Sequence, residues 1–129
     1  MSAKPKKAKV AIKTMIDRVY KNGFIFVAWD PIEVNKYFVE QDVDFDVSDE
    51  DLDGVCASKG ADHYIYLKEL EIGVLVHECV HAAQASMEYR GIETWNNNTE
   101  ITAYLTQWIF DNSNMFYIKY FAKLKKNEK

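Results

Sequence analysis

Few residues in this chain dictate a special architecture. Only two cysteines, Cys56 and Cys79, occur in 129 residues, which excludes the disulfide framework of a small secreted scaffold. Two prolines and five glycines leave little room for low-complexity linkers, and no internal repeat is present. No apolar run reaches the roughly 18 residues of a membrane span. The N-terminal Met1-Ser-Ala-Lys-Pro-Lys-Lys7 is basic but no apolar core follows it, so no signal peptide is expected. These absences lead to an expected cytoplasmic location and no membrane partner.

What is present is an apolar, aromatic body between charged ends. Hydrophobic residues make up 48% of the chain and aromatic residues 14%, enough for one real core at this length. The net charge of −4 is unevenly spread: residues 1–9 carry four lysines, residues 119–129 carry five lysines and one glutamate, and the body 10–118 carries 7 basic against 19 acidic residues. Lysine-rich ends on an acidic body read as solvated termini, so residues 1–9 are expected to be disordered and 10–125 to form one domain. A body of charge −12 repels phosphate, and nucleic acid is not expected as a partner.

Chemistry concentrates in His77-Glu78-Cys79-Val80-His81, an H-E-x-x-H motif. On a helix, positions four apart are separated by about 6 Å of rise and about 40° of rotation. Two imidazoles at that spacing can grip one divalent ion from one face, and the intervening glutamate can reach a water on it. Leu70 to Arg90 reads as a helix, with Ile72, Leu75, Val76, Cys79, Val80 and Ala83 at helical spacing and Gly91 as its stop. Cys79 turns to a different face and reads as a small core residue. The plainer alternative is a helix with two partly buried histidines bonded to backbone or acids. A zinc site needs a third protein ligand. Glu100, nineteen residues after His81, opens a second helical pattern; it reads either as that ligand or, with Asn97 as N-cap, as a capping-box carboxylate. Glu93 is the rival ligand.

These residues resemble a zincin of the glutamate type (gluzincin), in which an H-E-x-x-H helix is followed by a helix carrying a metal-binding glutamate. The likeness covers roughly residues 62–111. It is similar to small H-E-x-x-H proteins encoded by phages and mobile elements, and to the peptidase domain of phage-repressor-cleaving regulators. The resemblance implies Zn2+ held by His77, His81 and Glu100, Glu78 as general base, and a metallopeptidase acting on a peptide or protein in the cytoplasm, the host's if the chain is phage-encoded. Tyr104 stands where some members carry an aspartate four residues after the glutamate, and no downstream residue can be assigned to transition-state stabilisation. His63 is the candidate electrophile, against its reading as an ordinary strand-end histidine. The rival function is a non-catalytic binding module on the same scaffold, acting on a host or regulatory partner.

The remaining pattern predicts an α+β fold: a small sheet of three or four strands packed against the motif helix and a long C-terminal helix. A helix is expected over Val10 to Tyr20, with a hairpin through Asn22-Gly23 as the alternative, then a strand over residues 24–28. Asp30-Pro31 starts a helix burying Ile32, Val34, Tyr37 and Phe38. Val43, Phe45 and Val47 alternate with aspartates as a half-buried strand. Ser48 to Gly60 reads as an acidic loop whose EF-hand likeness fails at Gly60. His63 to Leu67 reads as a strand, which the resemblance would place at the cleft rim. The last helix is expected from about Asn98 to Lys123, kinked near Asn112, with Ile101, Tyr104, Leu105, Trp108 and Ile109 inward. Its aromatic continuation through Met115, Phe116, Ile118, Tyr120 and Phe121 reads as core, or as the face of a homodimer or partner contact.

Overall fold

The computed structural model describes residues 10–17, 21–47, 53–92 and 99–127. Strands β1 (Ala11–Ile16), β2 (Gly23–Ala28), β3 (Gly54–Lys59) and β4 (Asp62–Leu67) form one mixed sheet in the order β1-β2-β4-β3. The central pair β2 and β4 is parallel, and both outer pairings are antiparallel. Helix α1 (Pro31–Glu40) covers one face, while α2 (Ile72–Tyr89) and α3 (Thr99–Asn127) cover the other. The expected α+β class and the C-terminal helix are therefore observed, with four strands and a helix on the second face as well.

Both faces of β2 are covered, and that explains its unbroken apolar run. Phe24, Phe26 and Ala28 join α2 and α3 in one core; Ile25 and Val27 join α1 in the other. β4 divides the same way, with Ile65 and Leu67 on the first side and Tyr64 and Tyr66 on the second. Tyr117 of α3, fully buried, donates its hydroxyl towards the carbonyls of Val27 (3.0 Å) and Ile65 (2.7 Å), which ties the long helix to the two central strands.

Several local expectations change. Residues 11–16 are not helical but a strand, paired with β2 from Ala11↔Ala28 to Ile16↔Gly23. The apolar residues fall on both faces of the strand: Ala11 and Met15 pack on the core, while Ile12 and Ile16 face outward on an edge strand, Ile16 at 63% exposure. Val43 to Val47 forms no strand; its inward residues Val43 and Val47 are buried, and the Val47 amide donates to Asn35 Oδ1 instead of to a neighbouring strand. The segment read as an acidic loop contains β3, which turns through Gly60-Ala61 into β4; residues 48–52, where its acidic start lies, fall outside the described residues, as do residues 1–9 and Asn97. Asp30 caps α1 as expected, its Oδ1 accepting from the Glu33 amide at 3.1 Å, but Ile32 points outward at 68% exposure. In α3 the inward side is Leu105, Ile109 and Tyr117, whereas Ile101, Tyr104, Met115 and Ile118 are exposed. Helix α3 continues through Asn112 to Asn114, and the Asn112 side-chain amide donates back to the Trp108 carbonyl.

Candidate functional site

Helix α2 carries the H-E-x-x-H motif within a ladder that buries Leu75, Cys79, Ala82, Ala83, Ser86 and Met87. It ends on Arg90, with Gly91 in the left-handed region at φ 74; the Gly91 amide donates to the Glu88 carbonyl and the Ile92 amide to the Met87 carbonyl, both at 2.9 Å. This is a Schellman closure, and glycine suits it because a side chain at that φ is strained. At the other end of the sheet contact, Gly54 lets α2 approach β3. A Cβ there would lie 2.9 Å from Val74 Cγ1, 3.0 Å from Leu67 Cδ2 and 3.1 Å from the Tyr66 carbonyl oxygen.

Because the apolar side of α2 faces the sheet, His77 and His81 point to solvent. Their Nε2 atoms stand 3.0 Å apart and their rings meet edge-to-face, centroids 4.6 Å apart. Glu78, one position on, turns towards β3 and is buried at 7% exposure, with Oε1 3.9 Å from His77 Nε2. Burial pushes its carboxyl above the usual range, while the two imidazoles pull the other way. Cys79 points into the core against Ser113 Oγ at 3.5 Å, as expected of a small packing residue.

A groove of about 430 Å³ runs between α2 and β3. One wall is Gly54, Val55, Cys56 and Ser58; the other is Glu78, His81, Gln84, Ala85 and Glu88. β3 is the outer strand of the sheet, so it, and not β4, forms the rim; β4 lies between β2 and β3 and has no free edge. Burial raises the Cys56 thiol to about 12, with the Glu78 charge adding to it, so this cysteine is not a thiolate nucleophile. On the opposite flank of the histidine pair lies a second, apolar hollow of about 490 Å³, bounded by Val76, Val80, Thr102, Ala103, Thr106, Gln107 and Phe110.

His63 sits under the groove rather than in it. It is buried on β4, its ring packs on Phe24 at 5.5 Å, and its Nδ1 meets Ser58 Oγ of the paired strand at 2.7 Å. Burial lowers its pKa to about 4, so it is a neutral imidazole. Sequence reasoning missed Ser58, Cys56 and Gly54 because the strand that carries them was read as loop; the alternation of Cys56 and Ser58 with Val55 and Ala57 was the available signal.

The donor chemistry suits zinc in part. Two imidazole nitrogens 3.0 Å apart on one helical face could share an ion. The third ligand is not gathered: among the described residues no group of three His, Cys, Asp or Glu side chains converges to hold an ion. Glu100 is exposed in the first turn of α3, a helix anchored further along by Leu105, Ile109 and Tyr117. Glu93 falls outside the described residues. No described helix is long and apolar enough to cross a membrane. Set against family models, curated proteins and solved structures, the chain matches none of them.

Proposed function

We propose that this chain is a zinc-dependent peptide-bond hydrolase of the glutamate-zincin type. The observation that carries the reading is the pair of exposed Nε2 atoms 3.0 Å apart at the mouth of a groove, with a buried carboxylate 3.9 Å from one of them. His77 and His81 are then two metal ligands, and the third is Glu100, with Glu93 as the alternative, drawn in when the ion binds. Bound zinc supplies a Lewis acid that polarises a carbonyl and acidifies water towards neutrality. Glu78 Oε1 accepts the proton of the attacking water and delivers it to the departing amine nitrogen. Its burial suits this work, since a base whose pKa is raised holds and releases a proton nearer neutral pH. The free edge of β3 lines the groove, and an extended substrate can pair with it by main-chain hydrogen bonds.

A ligand set incomplete among the described residues favours one second reading, a non-catalytic module that binds a protein partner through the same surface. Elemental analysis of protein purified without added metal, combined with peptide digestion, separates the two. The enzyme reading expects one zinc per chain in the wild type and in Glu78→Gln, loss of zinc in His77→Ala, His81→Ala and Glu100→Ala, and a fall in cleavage of about 100-fold or more in Glu78→Gln. A zinc-free protein, or cleavage indifferent to Glu78→Gln, overturns it. A stable partner complex unaffected by Glu78→Gln supports the second.

A further inference from the structure

Ser58 and His63 are adjacent in space because β3 and β4 pair Ser58 directly with His63. The contact spans two environments. Ser58 is exposed and lines the groove that holds Glu78 and His81, whereas His63 is 1% exposed, in the layer beneath. Its Nδ1 meets Ser58 Oγ at 2.7 Å, and its Nε2 has no hydrogen-bond partner among the described residues.

The neutral ring carries one hydrogen, on one nitrogen or the other. On Nε2 it would leave a fully buried N–H unpaired. An unpaired buried donor or acceptor costs about 1–3 kcal/mol, and among backbone groups the orphaned N–H is the rarer of the two. On Nδ1 the hydrogen is donated to Ser58 Oγ, and only a bare lone pair faces the aromatic surroundings of Phe24. The second arrangement is the better satisfied. It has a direct consequence for the hydroxyl. With an oxygen lone pair occupied by the imidazole N–H, the Ser58 hydrogen cannot point down to His63 and turns to the groove side of β3. Two residues away on the same face stands the Cys56 thiol, towards which the Ser58 hydroxyl acts as a hydrogen-bond partner. The thiol is a weak acceptor that a substrate carbonyl displaces readily.

We infer that Ser58 is a substrate-binding donor, its hydroxyl hydrogen held towards the groove by buried His63 so that it binds a main-chain carbonyl of an extended peptide lying along β3. The inference rests on the hydrolase reading of the groove. His63 is then a positioning residue that never touches substrate. Cys56 and Ser58, on the groove side of β3, divide the groove by level. Both line the groove with Glu78; the Glu78 charge reaches Cys56, and Ser58 lies two residues further along, about 7 Å on a strand. That offset places the bound carbonyl beyond the scissile bond. Ser58 thus holds substrate and transition state alike, and its loss is expressed in KM rather than kcat.

Two measurements test this. The first is the nitrogen and carbon NMR signature of His63 in the metal-free protein near pH 7, where the Nδ1–H tautomer is expected, and with it a changed Nδ1 resonance in Ser58→Ala. A dominant Nε2–H tautomer overturns the proposal, since the serine hydrogen would then point at His63. The second is the affinity of a peptidyl hydroxamate, a zinc-chelating substrate mimic with main-chain carbonyls, for zinc-loaded protein. Ser58→Ala is expected to weaken binding about 5- to 10-fold with zinc stoichiometry unchanged, and Ser58→Thr to restore it. Where a peptide is cleaved, KM should rise by the same factor at unchanged kcat. Equal affinity in wild type and Ser58→Ala overturns the role of Ser58 and leaves the hydrolase reading standing. Failure of the wild type to bind zinc or the hydroxamate sinks the hydrolase reading and this inference with it.

Discussion

Acid should destabilise this fold through His63 specifically. The imidazole is buried in a layer bounded by Phe24, and burial lowers its pKa from 6.5 to about 4. The native state therefore excludes a proton that the unfolded chain accepts. Stability is fully present above the unfolded value near pH 6.5, falls as the pH drops towards 4, and is lost completely below that. The full difference corresponds to about 3 kcal/mol. Integrated between pH 7 and pH 5, the loss is about 2 kcal/mol, or roughly 7 °C in Tm for a chain of this length. The assay is urea or thermal unfolding at both pH values for the wild type and for His63→Gln, which keeps an amide for Ser58 but cannot titrate. Glu78, whose raised pKa works in the opposite direction, is present in both proteins and cancels in the comparison. The wild type should lose about 2 kcal/mol more than the variant on going from pH 7 to pH 5. Equal pH dependence in the two proteins, or a His63 ring that titrates near 6.5 by NMR, would refute the argument that burial governs this histidine.

Other perturbations address the scaffold around the groove. Gly54→Ala should cost about 1–3 kcal/mol, because its Cβ meets the Val74 side chain and the Tyr66 carbonyl, and the resulting shift of α2 from β3 should be read as lowered Tm together with weaker zinc binding. Tyr117→Phe removes the hydroxyl shared by the Val27 and Ile65 carbonyls and should lower the unfolding free energy by about 1–3 kcal/mol; a loss under about 0.3 kcal/mol would show that the bond contributes nothing net. Asp30→Ala should cost about 1 kcal/mol through loss of the α1 cap, measurable as a shift of the urea midpoint at unchanged slope.

Legibility tracked the range of the interaction that decided each element. The motif helix was plain because its evidence is local: apolar residues at helical spacing, a glycine after the last turn, and two histidines whose separation along one helix fixes their separation in space. α1 was equally plain from Asp30 and Pro31, yet Ile32 on it turned outward, since which side of a short helix is buried depends on where the sheet lies. The N-terminal segment shows the opposite case. Ile12, Met15 and Ile16 satisfy a helical period, and pairing with β2 overrode it. β3 was hidden because only four of its six residues, Val55, Cys56, Ala57 and Ser58, carry the alternation, and they follow an acidic run that looks like loop.

Within the candidate site the same division holds. The amino-acid sequence by itself determined that two imidazoles and a carboxylate share one helix, because the backbone geometry of a helix converts spacing directly into distance. Only the tertiary structure decided that β3 and not β4 is the groove's rim, that Glu78 is buried against it, that His63 reaches the groove through Ser58, and that Glu100 stays in solvent at the start of α3. Those facts depend on strand order and on how two helices seat on a sheet. Such relations join residues far apart in the chain, and no local periodicity encodes them.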